Sequence, residues 1–169
     1  MKKTLILSSL LFLCFAVLAA NPPIQPGFPV DIPDSRFIRA GSTTVEDITG
    51  DGIPEIIIGD SQGKVYAYRS NGTELWRYNT GPASIESKIA IADLNLNGSK
   101  EIIISSGSTF TPAAIGKVTV LNNNGGLVCT YTPPAFAGTI GVYSSPAVAN
   151  LDQSDPQLEF VFGDWSPIE

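Results

Sequence analysis

The feature that most limits what this chain can become is a polar, acidic loop that recurs three times, each time entering an apolar run through a glutamate. Asp47-Ile48-Thr49-Gly50-Asp51-Gly52-Ile53-Pro54-Glu55 leads into Ile56-Ile57-Ile58. Asp93-Leu94-Asn95-Leu96-Asn97-Gly98-Ser99-Lys100-Glu101 leads into Ile102-Ile103-Ile104. The third loop runs from Asn150 through Asp152 and Asp155 to Glu159, is one residue longer, and leads into Phe160-Val161-Phe162. Three such loops in register mean that one structural unit is repeated along the chain.

The match continues downstream of the first two loops. Gly63-Lys64-Val65-Tyr66-Ala67-Tyr68 aligns with Gly116-Lys117-Val118-Thr119-Val120-Leu121, and Asn71-Gly72 with Asn124-Gly125. Each unit reads as four strands. One leads into the loop. The next is apolar on consecutive residues, so both of its faces are expected to be buried. The third alternates Val65 and Ala67 against Tyr66 and Tyr68, a half-buried pattern. A tight hairpin at Asn71-Gly72, where both residues tolerate positive φ, leads into the fourth. Four-stranded units of roughly 40–50 residues in tandem are the pattern of a β-propeller. The expected fold is therefore all-β, with blades of four antiparallel strands at 43–80 and 85–132 and a truncated one at 142–169. About two and a half blades make an incomplete ring, since propellers close with about four to eight. The remaining blades are expected from further C-terminal chain. Within 21–42, Gly27 to Ile32 reads as an outer strand, placed to complete the last blade of a ring.

Two irregularities stand out. Glu55 to Gly63 spans 8 positions and Glu101 to Gly116 spans 15, so the second unit carries seven extra residues within Ser105 to Ile115. Cys129 falls in register with Trp76, which reads as a small buried apolar residue rather than a reactive one.

Residues 1–20 read as a cleaved signal peptide: Lys2 and Lys3, the apolar run Leu5 to Leu18, then small residues ending at Ala19-Ala20. Asn21-Pro22-Pro23 follows, a stretch no membrane helix continues into, so no membrane span is expected after cleavage. The protein is expected to be secreted or held at the cell surface. The whole chain has 10 basic and 16 acidic residues, a net charge of −6. That balance disfavours nucleic acid, which needs basic surface. The chain has no histidine, which excludes Ser-His-Asp and Cys-His catalysis and any His-ligated zinc site.

The loops themselves offer hard oxygen donors at alternating positions. In the first these are Asp47, Thr49, Asp51, the Ile53 carbonyl and Glu55; in the second Asp93, Asn95, Asn97, the Ser99 carbonyl and Glu101. Such a mixture suits Ca2+, and glycines at 50 and 52 let the backbone curl around an ion. The second loop, with only two carboxylates, is expected to bind more weakly; the third, offering Asn150, Asp152, Asp155 and Glu159 without a glycine, is expected to bind poorly or not at all. The loop joins strands and not helices, since Ile58 stands where an EF-hand would need its last glutamate.

The segment Asp47 to Glu55 with its following strand, and Ser144-Ser145-Pro146-Ala147-Val148-Ala149 before the third loop, resemble the FG-GAP/VCBS repeat family, whose calcium-loop blades also build integrin α-subunit propellers. The resemblance implies a propeller with calcium at loop positions 1, 3, 5, 7 and 9. Thr49, and glutamate in place of aspartate at position 9, depart from the family's pattern. The function it implies is a non-enzymatic adhesion module contacting a glycan or protein. The alternative is part of a propeller-fold enzyme such as a polysaccharide lyase, for which Lys64, Lys117 and the tyrosines are the only candidate bases.

Overall fold

The computed structural model describes residues 24–32, 37–107, 115–134 and 141–164. The signal segment, most of the seven-residue insertion and the last five residues lie outside them. The described chain is all-β, with no helix, and its four-stranded antiparallel sheets are blades of a partial propeller. Strands β1 (Ile38–Glu46), β2 (Glu55–Asp60), β3 (Lys64–Tyr68) and β4 (Glu74–Asn79) form one sheet in chain order. Strands β5 (Ala90–Ala92), β6 (Glu101–Ser106), β7 (Lys117–Leu121) and β8 (Leu127–Tyr131) repeat it. A third unit supplies β9 (Ala147–Ala149) and β10 (Glu159–Val161) as an antiparallel pair, extended by a bridge between Val142 and Asp164.

Local chemistry explains each corner. The β3–β4 turn is closed by Gly72 N–H to the Arg69 carbonyl (2.9 Å) and Arg69 N–H to the Thr73 carbonyl (2.8 Å). Only Gly72 takes positive φ (82°); Asn71 does not, and the pairing slips by one residue between Ala67 and Tyr68. The corner is thus an ordinary turn followed by a bulge at glycine rather than the two-residue hairpin expected from Asn71-Gly72. Asn122 to Gly126 repeats it, with Gly125 at φ 78°.

The blades stack through one repeated junction. Side chains alternate across each strand, so Ile56 and Ile58 share the leading face of β2 while Ile57 lies on its trailing face. Ile57, Val65 and Ala67 of the first blade gather with Ile102, Ile104 and Leu121 of the second. One repeat later, Ile103, Val118 and Val120 meet Phe160, Phe162 and Val148. Trp76 sits on this seam and donates its indole N–H to the Asn123 carbonyl of the second blade (2.9 Å). The linker residue Ile85 closes the junction against Gly59, where an added Cβ would lie 2.4 Å from Ile85 Cγ2.

Several expectations change here. Val65, Tyr66, Ala67 and Tyr68 are all buried, not alternately so: Val65 and Ala67 pack against the second blade, while Tyr66 on the other face bonds Asp60 and lies under the Arg77 guanidinium (5.7 Å) within its own blade. Cys129 keeps the register of Trp76: it pairs with Val120 as Trp76 pairs with Ala67. It is nevertheless exposed, because the described part of the third unit has no outer strands to cover it as the second blade covers Trp76. Residues 24–32 form a turn, Phe28 N–H to the Gln25 carbonyl (3.0 Å), and no strand. Gly27 at φ 90° breaks the extended path and Pro29 lacks the N–H a ladder needs. Gly27 instead packs against the Asn71-Gly72 corner.

Candidate metal centre

Each acidic loop joins the first strand of a unit to the second, and all three share one internal scaffold. The glutamate at its end is turned inward. Glu55 accepts from Ile48 N–H (3.1 Å), Thr49 N–H (3.3 Å) and the Thr49 hydroxyl (3.5 Å). Glu101 accepts from Leu94 N–H (2.8 Å) and the Asn95 amide (3.3 Å), and Glu159 from Leu151 N–H (2.7 Å). The contact is the same in every unit: the last carboxylate clasps the second N–H of its loop. Glu55 and Glu101 are buried, as a charge that has found donors can be.

The first residue of the loop does the reverse, reaching forward. Asp47 accepts from Gly50 N–H (2.7 Å) and Gly52 N–H (2.9 Å), Asp93 from Asn97 N–H (3.0 Å) and Gly98 N–H (2.8 Å), and Asn150 from Gln153 N–H (2.9 Å). At Asp47, desolvation works to raise the pKa. Backbone N–H bonds and the nearby Lys100 charge outweigh it and hold the carboxyl below its ordinary value. Asp51 accepts from Ile53 N–H (2.8 Å) and faces Arg69 at 3.9 Å. Asn95 and Asn97 accept from the N–H groups of Asn97 (3.1 Å) and Ser99 (2.8 Å). Asp152 and Asp155 accept from those of Ser154 (2.8 Å) and Gln157 (2.8 Å).

The fourth loop position takes positive φ in every unit: Gly50 (78°), Leu96 (57°) and Gln153 (56°). Only the glycine makes that conformation legible from sequence, since neither leucine nor glutamine favours positive φ. Neighbouring loops are also tied together. Lys100 pairs with Glu46 beside the first loop, and Leu158 N–H donates to the Leu94 carbonyl (2.9 Å). The loops therefore lie side by side on one edge of the stack.

The donors suit a hard cation in kind, and an ionised carboxylate has lone pairs to spare beyond one N–H per oxygen. Their arrangement is a different matter. Among the described residues no three His, Cys, Asp or Glu side chains gather into a group that could hold a metal ion. Asp47, Asp51 and Glu55 each serve the loop's own N–H groups instead of a common centre.

Asp60 carries a role the sequence did not reveal. It is fully buried at the end of β2, accepting from Gln62 and Lys64 N–H (2.8 Å each) and from the Tyr66 hydroxyl (3.3 Å). Burial first, and then the Asp60 charge and hydrogen bond, push the Tyr66 pKa up to about 12. The only available signal was the recurrence of Gly59-Asp60 as Gly163-Asp164.

Fold and loops together define a stack of propeller-type blades with acidic loops along one edge. Residues 47–104, the first loop through β6, match the FG-GAP-like repeat family. No curated protein matches the chain in sequence. Among solved structures it is similar to the V. cholerae biofilm matrix protein Bap1, at 22% identity and a TM-score of 0.56, over 82% of this chain and 25% of that one. The chain thus spans about a quarter of that structure's length, and the likeness is one of fold.

Proposed function

We propose that this chain is a secreted or cell-surface β-propeller module that binds a glycan or protein ligand and serves adhesion rather than catalysis. The observation that carries this reading is the stack itself: an FG-GAP-like repeat at 47–104 in a fold similar to a biofilm matrix protein, with its loops aligned along one edge. Further blades from additional C-terminal chain complete the ring. The acidic balance turns the module away from nucleic acid. Binding to immobilised neutral and acidic polysaccharides and to matrix proteins tests it. Retention of an unaltered ligand supports adhesion. Release of unsaturated sugar ends from an acidic polysaccharide would overturn it in favour of a lyase.

Calcium belongs to the same proposal as a ligand of the first two loops. Asp47, Thr49, Asp51, the Ile53 carbonyl and Glu55 would hold one ion, and Asp93, Asn95, Asn97, the Ser99 carbonyl and Glu101 a second. The all-oxygen donor set and its unused lone pairs support this. When bound, the ion would stiffen each loop and balance its charge. Asn150, Asp152, Asp155 and Glu159 form the weakest of the three candidate sets. Calorimetric titration of calcium into chelator-stripped protein, with melting curves alongside, is the test. Saturable heat and a rise of several degrees support calcium. Absence of both removes it and leaves adhesion standing on its own assay.

A further inference from the structure

Asparagine followed by glycine occurs three times in this chain, at Asn71-Gly72, Asn97-Gly98 and Asn124-Gly125. The pair is chemically labile, because glycine carries no side chain to hinder attack of its nitrogen on the asparagine side-chain carbonyl. The fold treats the three pairs differently. Gly72 N–H donates to the Arg69 carbonyl (2.9 Å) and Gly125 N–H to the Asn122 carbonyl (3.0 Å). A peptide carbonyl is too weak a base to take that proton. Gly98 N–H donates instead to the Asp93 carboxylate, 2.8 Å from Oδ2. That is the reach of a general base.

The electrophile beside it is prepared as well. Asn97 Oδ1 accepts from Ser99 N–H (2.8 Å), a donor placed to stabilise negative charge on that oxygen as the carbonyl is attacked. Asn71 has such a donor in Thr73 N–H (3.0 Å), but no carboxylate on Gly72. Asn97 and Gly98 are exposed, so water reaches them. A Cβ on Gly98 would meet nothing within 4 Å, whereas one on Gly72 would lie 2.3 Å from the Gly27 carbonyl oxygen and one on Gly125 2.7 Å from Trp76 Cδ2. The second loop therefore has room to change shape where the two corners are pinned.

We propose that Asn97 is a self-modification site, deamidated through Gly98 with Asp93 as the base. The Gly98 nitrogen bonds to Asn97 Cγ while Asp93 takes its proton. The Cγ–Nδ2 bond breaks, Asp93 hands that proton to Nδ2, and ammonia leaves a five-membered imide. One water then opens the ring. Addition at the side-chain carbonyl leaves aspartate at 97; addition at the main-chain carbonyl routes the chain through the side chain instead. Asn97 aligns with Asp51, so aspartate there gives the second loop the three carboxylates of the first. Only the effect of that added charge on an ion rests on the calcium reading; the modification does not.

The test incubates the full chain in chelator at mildly alkaline pH and follows the amide-to-acid mass shift at each site by peptide mapping, so that the three pairs are compared within one molecule. Folded, Asn97 should convert about tenfold or more faster than Asn71 and Asn124. In concentrated urea the three rates should converge, since only the fold sets them apart. Asn97 no faster than the other two in the folded chain would overturn the proposal, as would an equal lead in urea. Asp93→Asn should slow conversion at Asn97. A carboxylate that merely held the loop in shape predicts the opposite, because a loosened loop reacts faster, so acceleration would remove Asp93 as the base. The comparison of folded chain with urea needs no variant and stands if Asp93→Asn does not fold. Calcium bound to the second loop should protect Asn97 alone; rates unchanged by calcium would count against the calcium reading and leave the modification standing.

Discussion

Replacing Glu55 with alanine isolates what holds an acidic loop in shape. The carboxylate is 1% exposed and accepts three hydrogen bonds, of which Ile48 N–H is the most consequential because Ile48 is itself 2% exposed. Without an acceptor that N–H is stranded, at a cost of about 1–3 kcal/mol, and a bond to a charged group contributes about 1.5–3 kcal/mol. Thr49 is exposed, so its N–H and hydroxyl return to water at little cost. Relief of the buried charge offsets part of the loss. The expected net destabilisation for Glu55→Ala is about 2–3 kcal/mol, or roughly 5–10 °C in melting temperature for a domain of this size. Glu55→Gln keeps an acceptor and should lose only about 1 kcal/mol. Urea unfolding followed by tryptophan fluorescence reads the change, since Trp76 lies on the seam between the first two blades. The loss in chelator measures the clasp alone, because its partners are protein donors; any extra loss in calcium would report the proposed ligand role of Glu55. Alanine within about 0.5 kcal/mol of wild type would refute the clasp. Glutamine as damaging as alanine would show that charge rather than acceptor geometry is what counts.

Two further perturbations follow from the packing. Gly59→Ala places a methyl 2.4 Å from Ile85 Cγ2 and should destabilise by about 1–3 kcal/mol, recovered in part by Ile85→Ala in the same chain; an additive double mutant would contradict the contact. Tyr66 has a folded-state pKa of about 12 against an unfolded 10, so its stabilising contribution is complete below pH 10 and disappears as pH rises through 12. The full loss is about 2–3 kcal/mol, and Tyr68 and Tyr143, also raised chiefly by burial, add in the same direction. Urea midpoints between pH 8 and 11.5 should fall along with tyrosinate absorbance, less steeply in Tyr66→Phe; midpoints that stay level would exclude the buried phenol as a cause.

What the sequence determined by itself was everything that depends on a few consecutive residues. The three loops, the strands they join and the glycine corners near Gly72 and Gly125 are legible because turn chemistry and a two-residue side-chain period act over one or two corners. Register was legible too: Cys129 does stand where Trp76 stands. What lies against each face was not. Tyr66 and Tyr68 are buried, Cys129 is exposed, Asp60 holds an inner corner, and Gly27 to Ile32 turns instead of extending. The loop carboxylates were legible as donors but not as to what they accept, since a backbone N–H and a metal ion ask for the same oxygen atoms. Only the stacking of one blade on the next decides which apolar residues are covered and which carboxylates turn inward, because burial belongs to pairs of surfaces and a single strand carries no record of its neighbour.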